Sequence, residues 1–315
     1  MLEFERKIEE ISKRIEELKS LLSEHPEFKK ELDALSERKK ILIQKIFSNL
    51  SAWDIVQIAR HPERPHSKDI IERVFDDYFE LHGDRLFGDD PAIIAGIAKL
   101  SSYKVVFVGQ EKGRGTKERT FRNFGMPHPE GYRKALRIFK IAEKFSFPLI
   151  TFVDTPGAYP GIGAEERGQA WAIALNIFEM LRLKVPIIVF IIGEGGSGGA
   201  LAIAVGDRIY ALEYSIYSVI SPEGCASILW RDSKKADKSA EALKLTSNFL
   251  KNFKIIDDII KEPEGGAHRD WDETASRIKE VIIRDIEILR EKDISDLIKE
   301  RRERFRNIGF FKIIK

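Results

Sequence analysis

Apolar side chains near the start of the chain recur at Phe4, Ile8, Ile11, Ile15, Leu18 and Leu22, alternately four and three residues apart. That spacing places them on one stripe of a helix, with Glu, Lys and Arg around the rest of its surface. The rhythm restarts at Phe28, Leu32, Leu35, Leu42 and Ile46, after His25-Pro26-Glu27. Proline suits the first turn of a new helix and breaks a continuing one, so residues 1–50 are predicted to form a helical hairpin. The hairpin reads as a packing or dimerisation arm without chemistry of its own, and residues 51–315 as the main domain.

Beyond a proline-punctuated connector, His61-Pro62-Glu63-Arg64-Pro65-His66, the period changes. Short β-branched runs at Ala92–Leu100, Lys104–Val108, Phe147–Val153 and Val185–Ile192 are bounded by Gly, Pro or Ser, as buried strands are. Helical patterns follow at Pro129–Phe145, Glu165–Leu181 and Gly199–Val205, and charged helical periodicity returns over Trp271–Ile298. Near-continuous apolar strands alternating with helices predict an α/β domain with a covered sheet.

Bulk composition narrows the function classes. A net charge of +2 over 315 residues gives no whole-molecule field for nucleic acid. One cysteine, Cys225, excludes a disulfide framework or a cysteine-rich zinc site, and it reads as a small buried residue. No apolar signal core opens the chain, and no apolar run reaches membrane-spanning length. The expectation is a cytoplasmic protein, with no membrane and no nucleic-acid partner.

Two segments carry the chemistry, each just beyond a predicted strand and each running into a helix. They are Asp154-Thr155-Pro156-Gly157-Ala158-Tyr159-Pro160-Gly161 and Gly193-Glu194-Gly195-Gly196-Ser197-Gly198-Gly199-Ala200-Leu201. Glycine allows sharp turns and close approach of a ligand to the backbone. A following helix leaves its first N–H groups unpaired. Two such turns on consecutive strands predict an oxyanion hole for an enolate or alkoxide, with no ionisable side chain required. Three other readings fit the second segment. Gly193-x-Gly195-x-x-Gly198 matches the dinucleotide fingerprint, although it lies far from a first βαβ unit. Gly195-x-Ser197-x-Gly199 matches a serine-hydrolase elbow, with aspartates and His268 following in order. Plain helix–strand packing is the third.

Further motifs run through the chain: Ala59-Arg60-His61-Pro62, Glu80-Leu81-His82-Gly83-Asp84-Arg85, Lys112-Gly113-Arg114 with Thr116-Lys117-Glu118, and Arg122-Asn123-Phe124-Gly125-Met126. Pro129-Glu130-Gly131-Tyr132-Arg133-Lys134-Ala135, Ser221-Pro222-Glu223-Gly224-Cys225-Ala226 and Glu264-Gly265-Gly266-Ala267-His268 complete the set. Over nearly its whole length the chain resembles the alpha subunits of the acetyl-CoA carboxylase carboxyltransferase family. The resemblance implies a crotonase-like fold, a superhelix of ββα units. It implies transfer of a carboxyl group from carboxybiotin, carried on the biotin carboxyl carrier protein, to acetyl-CoA, giving malonyl-CoA for fatty acid biosynthesis. It also implies a beta subunit completing the site in an α2β2 assembly, with biotin carboxylase as a further partner. No cofactor or metal is expected on this chain alone; a zinc site belongs to the partner.

On this reading the backbone N–H groups of Gly198 and Gly199 receive the biotin oxygen. Gly157 and Ala158 form the facing wall, and Gly195, Gly196, Tyr159 and Pro160 line the carboxybiotin side. Lys112, Arg114 and Lys117 are candidates for CoA phosphates or partner contacts, against the alternative of a solvated face. Asp154 is expected to cap its turn, and His82 and His268 to be hydrogen-bonded structural residues. The chain departs from the family at Ala170-Trp171, where Ser-Glu is usual, and at Gly115, where aspartate is common. The competing enzyme classes are a stand-alone hydratase or isomerase of the same fold, which needs acids against the acyl group, and a hydrolase using Ser197.

Overall fold

The computed structural model describes residues 2–23 and 25–309. Helices Arg6–Leu21 and Lys29–Phe47 form the hairpin, with Pro26 opening the short 3-10 turn Pro26–Phe28 that leads into the second. Ile8, Ile15 and Leu18 of the seam are buried, as is Ile43. Phe47 packs edge-on against Phe4 and against Tyr214 of the main domain.

Among the described residues the main domain is built on eight strands: β1 (Asp77–Glu80), β2 (Ile93–Leu100), β3 (Tyr103–Gln110), β4 (Leu149–Thr155), β5 (Ile187–Gly196), β6 (Arg208–Leu212), β7 (Ile216–Ser218) and β8 (Asp258–Ile260). The sheet order is β1-β2-β3-β4-β5-β6-β8. The first three strands are antiparallel, while β3 to β6 and β8 run parallel. β7 pairs with the last three residues of β5.

Strand alternation explains the two-faced core. Phe107 of β3 and Phe152 of β4 point to one face, under helices Ser67–Val74 and Trp271–Arg290, which supply Ile70, Ile71, Ile278 and Ile282. Val106, Val108 and Val153 point to the other, under helix Pro129–Phe145 with Ala135, Ile138 and Phe139. The helix Ile294–Arg306 is pinned by the fully buried Arg301. Its guanidinium donates twice to Asp207 (2.7 and 2.8 Å) and to the carbonyls of Met180, Leu183 and Val185.

Three expected boundaries move. The helix expected over Glu165–Leu181 is two, Ile162–Glu166 and Gln169–Met180, because Gly168 takes a left-handed φ of 79° between them. The tail likewise splits at residue 290, and Asp293 caps its second helix. β5 continues past Ile192 through Gly196, so Gly195 and Gly196 belong to a strand, and the helix after it is only Ser197–Leu201. Among the described residues no helix is long and apolar enough to cross a membrane.

Candidate active site

Parallel pairing of β4 with β5 brings their C-terminal ends together, with Thr155 opposite Gly195. The two bends that follow touch backbone to backbone. A methyl group on Gly196 would lie closer than 3.0 Å to Pro156 and Gly157, and one on Gly199 closer than 3.0 Å to Gly157 and Ala158. Only glycine permits this approach. Ser197, between them, takes a left-handed φ of 51°, a strained conformation for a residue with a side chain.

Buried side chains hold the bends in place. Thr155 Oγ1 accepts the Gly157 N–H (3.0 Å) and donates to its carbonyl (2.7 Å). Gln169 donates to the carbonyls of Pro127 and Tyr159, and the Tyr159 ring stacks on His128. Gln110, fully buried at the end of β3, ties both bends at once: Nε2 donates to the Gly199 carbonyl (2.8 Å) and Oε1 accepts the Asp154 amide (3.2 Å). Among the described residues no cap, loop or side-chain bond takes the amides of Ala158, Gly198 or Gly199. The Gly157 amide, by contrast, is occupied by Thr155.

Gly198 and Ser197 open into a slot of about 270 Å³ with walls of Leu201, Tyr217, Val219, Leu250 and Ile255. The slot is apolar, and among the described residues neither a carboxylate nor a histidine lines it. Gly198 itself has an ordinary φ, and the nearest atom to an added methyl is Ile173 Cγ2 at 3.7 Å. Packing therefore does not require glycine at this position.

A second hollow of about 540 Å³ begins at Pro156 and is lined by Arg60, Lys112, Arg114 and Glu194 among others. An ionic brace forms its floor. Lys112 Nζ pairs with Asp154 (2.7 Å) and Glu194 (3.5 Å), and Arg60 pairs with Glu194 (2.5 Å) and Glu223 (2.6 Å). Burial opposes ionisation of Glu194, but Lys112 and Arg60 outweigh it and hold the carboxyl below its usual range. Asp154 was expected to cap its turn, but Thr155 does that, and Asp154 Oδ1 instead accepts the Glu194 amide (2.9 Å) and locks β4 to β5.

Of the candidate residues, the fold brings Gly157, Ala158, Gly195, Gly196, Gly198 and Gly199 together. Tyr159 and Pro160 belong to the first bend but line neither hollow. Lys112 and Arg114 line the larger one, each already engaged: Arg114 donates to the carbonyls of Pro62 and Arg64 and to Asp69, and lies over Trp271. Lys117 is exposed and lines neither. The sequence reading missed Gln110 and the Arg60–Glu194 pair. A glutamine closing an otherwise apolar strand was the available signal for the first.

His268 is tied into a clasp at the foot of the hairpin. Its Nε2 lies 2.9 Å from the buried Glu5, which also pairs with Arg269 (3.1 Å). His61 stacks on His268, and its Nδ1 accepts the Glu63 amide, leaving the neutral ring's proton on Nε2, toward Glu5 (3.8 Å). The arrangement is a charged clasp, with Arg269 where a bound cation would be repelled. Held there, His268 does not line the slot beside Ser197.

Comparison with known proteins matches this geometry to a class and then to a family. The fold is crotonase-like. It resembles transcarboxylase 12S, solved with methylmalonyl-coenzyme A and methylmalonic acid bound (TM-score 0.61, 20% identity, covering 77% of this chain and 44% of that one). It also resembles a chain of a Pseudomonas malonate decarboxylase hetero-tetramer in complex with coenzyme A (TM-score 0.57, 15% identity, 74% and 90%). A family model described as acetyl co-enzyme A carboxylase carboxyltransferase-like matches residues 1–309. The acetyl-coenzyme A carboxylase carboxyl transferase subunit alpha of Geobacter metallireducens is 55% identical over 98% of both chains, and that of Thermus thermophilus 53% over 98% of both. The chain belongs to the acetyl-CoA carboxylase carboxyltransferase family, on its alpha-subunit side.

Proposed function

We propose that this chain supplies the carboxybiotin half of a carboxyltransferase site, and that a beta-type partner subunit brings acetyl-CoA to the same opening. The observation that carries the reading is Gly198: its amide is unclaimed, it borders an apolar slot, and packing leaves room there for a methyl. A small, apolar, open-ended slot suits the fused ring of biotin, and the unclaimed amides suit its ureido oxygen. Bound there, carboxybiotin supplies the carboxyl group to be moved.

The chain's own contribution is electrostatic and steric. Amides fixed by Gln110 and by the packed bends present N–H dipoles without reorganisation as charge develops on the oxygen, an effect worth roughly 3–4 kcal/mol per donor. Leu201, Val219, Leu250 and Ile255 keep water from the reacting carboxyl group. Because among the described residues no acid or histidine lines the slot, proton acceptance falls to the substrate rather than to a side chain there. That distribution disfavours a stand-alone hydratase, which needs an acid against the acyl group. It equally disfavours hydrolysis by Ser197, which among the described residues has no base beside it in the slot despite its elbow-like strain. The carrier protein, biotin carboxylase, an α2β2 assembly and a cytoplasmic setting complete the proposal.

The test is co-expression with a beta-type subunit and an assay of malonyl-CoA-dependent carboxyl transfer to free biotin. Activity in the pair and in neither chain alone supports the reading; full activity of this chain by itself refutes it.

A further inference from the structure

The loop after β1, residues 82–90, takes no part in the slot, yet it is tied down from inside. Asp84 Oδ1 accepts the amides of Leu86, Phe87 and Gly88 at 2.8–2.9 Å, and Oδ2 accepts Arg133 (2.7 Å). Asp89 accepts the Gly83 amide (2.8 Å) and the fully buried Lys134 (2.6 Å). Burial opposes ionisation of both acids, but these donors outweigh it and pull each carboxyl down to about 2.

What this scaffolding holds out is apolar. Leu86 is 79% exposed and Phe87 64%, and across a groove of about 280 Å³ stands Trp171, 72% exposed. Isolated surface leucines need no explanation, but large side chains held rigidly around one groove do. Rigidity in the free protein removes the ordering cost of association and is the mark of a preformed anchor site.

The charges are one-sided. Arg133, Lys134, Lys140 and Arg167 each have a carboxylate partner in Asp84, Asp89, Glu179 and Glu130. Among the described residues Arg85 and Arg137 have none. Arg85 donates to the His82 carbonyl, and Arg137 to the carbonyls of Gly83 and His82. Two neighbouring guanidinium groups are thus fixed by the main chain without a direct ion pair, although Asp89 and Asp84 act on Arg137 from a distance.

We infer that this face docks an acidic protein segment, whose carboxylates meet Arg85 and Arg137 while a bulky apolar side chain enters the groove between Leu86 and Trp171. Its owner is the beta-type subunit, and in that respect the inference rests on the proposed function. A two-fold contact with a second copy would set the arginine pair against itself. A nucleotide fits less well, because of the basic residues lining the groove Arg133 and Lys140 are already paired with carboxylates, which leaves Arg137 alone to meet a phosphate.

The test measures the dissociation constant between the full-length chain and the beta-type subunit for Arg85→Glu and for the double variant Leu86→Ser/Trp171→Ser. All three side chains are exposed, so the isolated variants keep the circular dichroism and melting temperature of the parent. Loss of anchor residues weakens association by about 30-fold or more. Association within threefold of the parent overturns the inference. So does unchanged association combined with weakened binding of acetyl-CoA or of the carrier protein, or a parent pair that does not associate. Gly198→Ala separates the two ideas: it assembles normally and loses transfer. Should it keep full activity while the groove variants fail to assemble, the docking face stands and the slot reading falls.

Discussion

The three glycines of the second bend are expected to respond differently to one added methyl group. On Gly199 the methyl would sit 2.5 Å from Gly157 C and 3.0 Å from Tyr132 Oη, and on Gly196 it would meet the backbone of Pro156 and Gly157. Backbone cannot swing aside as a flexible side chain does, so the bends must separate. Overpacking of this kind costs roughly 1–3 kcal/mol, and Gly196→Ala and Gly199→Ala are expected to lose both stability and activity. Gly198→Ala meets only an ordinary 3.7 Å contact with Ile173, and it removes the flexibility that glycine adds to the unfolded chain. Its melting temperature is expected to match or slightly exceed the parent's. On the proposed reading its carboxyl transfer falls by about 10²-fold or more, because a methyl on the residue that borders the slot crowds an oxygen bound to its amide, a donor worth roughly 3–4 kcal/mol. The assay pairs calorimetry of the isolated chain with transfer to free biotin by the reconstituted pair. A Gly198→Ala variant of full activity refutes the reasoning, and so does one whose lost activity is explained by unfolding.

Ser197→Ala is expected to keep transfer within about tenfold, since the serine contributes backbone geometry and no nucleophile; abolished turnover in a folded variant contradicts this. Arg301→Ala is expected to lower stability by about 3–5 kcal/mol in urea unfolding, because it leaves Asp207 buried and unpaired; a loss below 1 kcal/mol contradicts it. The hairpin clasp predicts a pH effect. Burial, then the charge of His268, pushes the His61 ring from 6.5 down to about 4. Below pH 6.5 the unfolded chain therefore binds a proton that the folded chain refuses. Stability contributed by the neutral ring is complete above 6.5 and declines as pH falls toward 4, by at most about 1.4 kcal/mol per pH unit. His61→Gln is expected to flatten the melting temperature between pH 6.5 and 5; identical slopes in parent and variant contradict it.

Much of the fold was legible because long periodic runs commit to one structure. Pro129–Phe145 appears as expected, and β2 to β5 each start within a residue or two of their apolar runs. The short strands were not legible. β1 alternates exposed and half-buried residues, and β7 and β8 have only three residues each, so pairing with longer neighbours rather than their own pattern makes them strands. Glycine misled at Gly193–Gly196, where it serves close approach inside a strand, and was overlooked at Gly168, where it ends a helix. Motifs marked the two bends as the site, but no motif shows that an amide is already taken. Thr155 occupies Gly157 and leaves Gly198 open, a distinction that exists only in three dimensions. Lys112 and Arg114 stood out as a basic run, although tertiary ion pairs absorb most of that charge.

The most direct measurement is a crystal structure of the chain assembled with its beta-type partner and biotin. The account predicts the ureido oxygen about 3 Å from the Gly198 and Gly199 nitrogens, with the ring lying along Leu201 and Val219. A biotin ring bound elsewhere, with both amides donating to protein carbonyls, would contradict it.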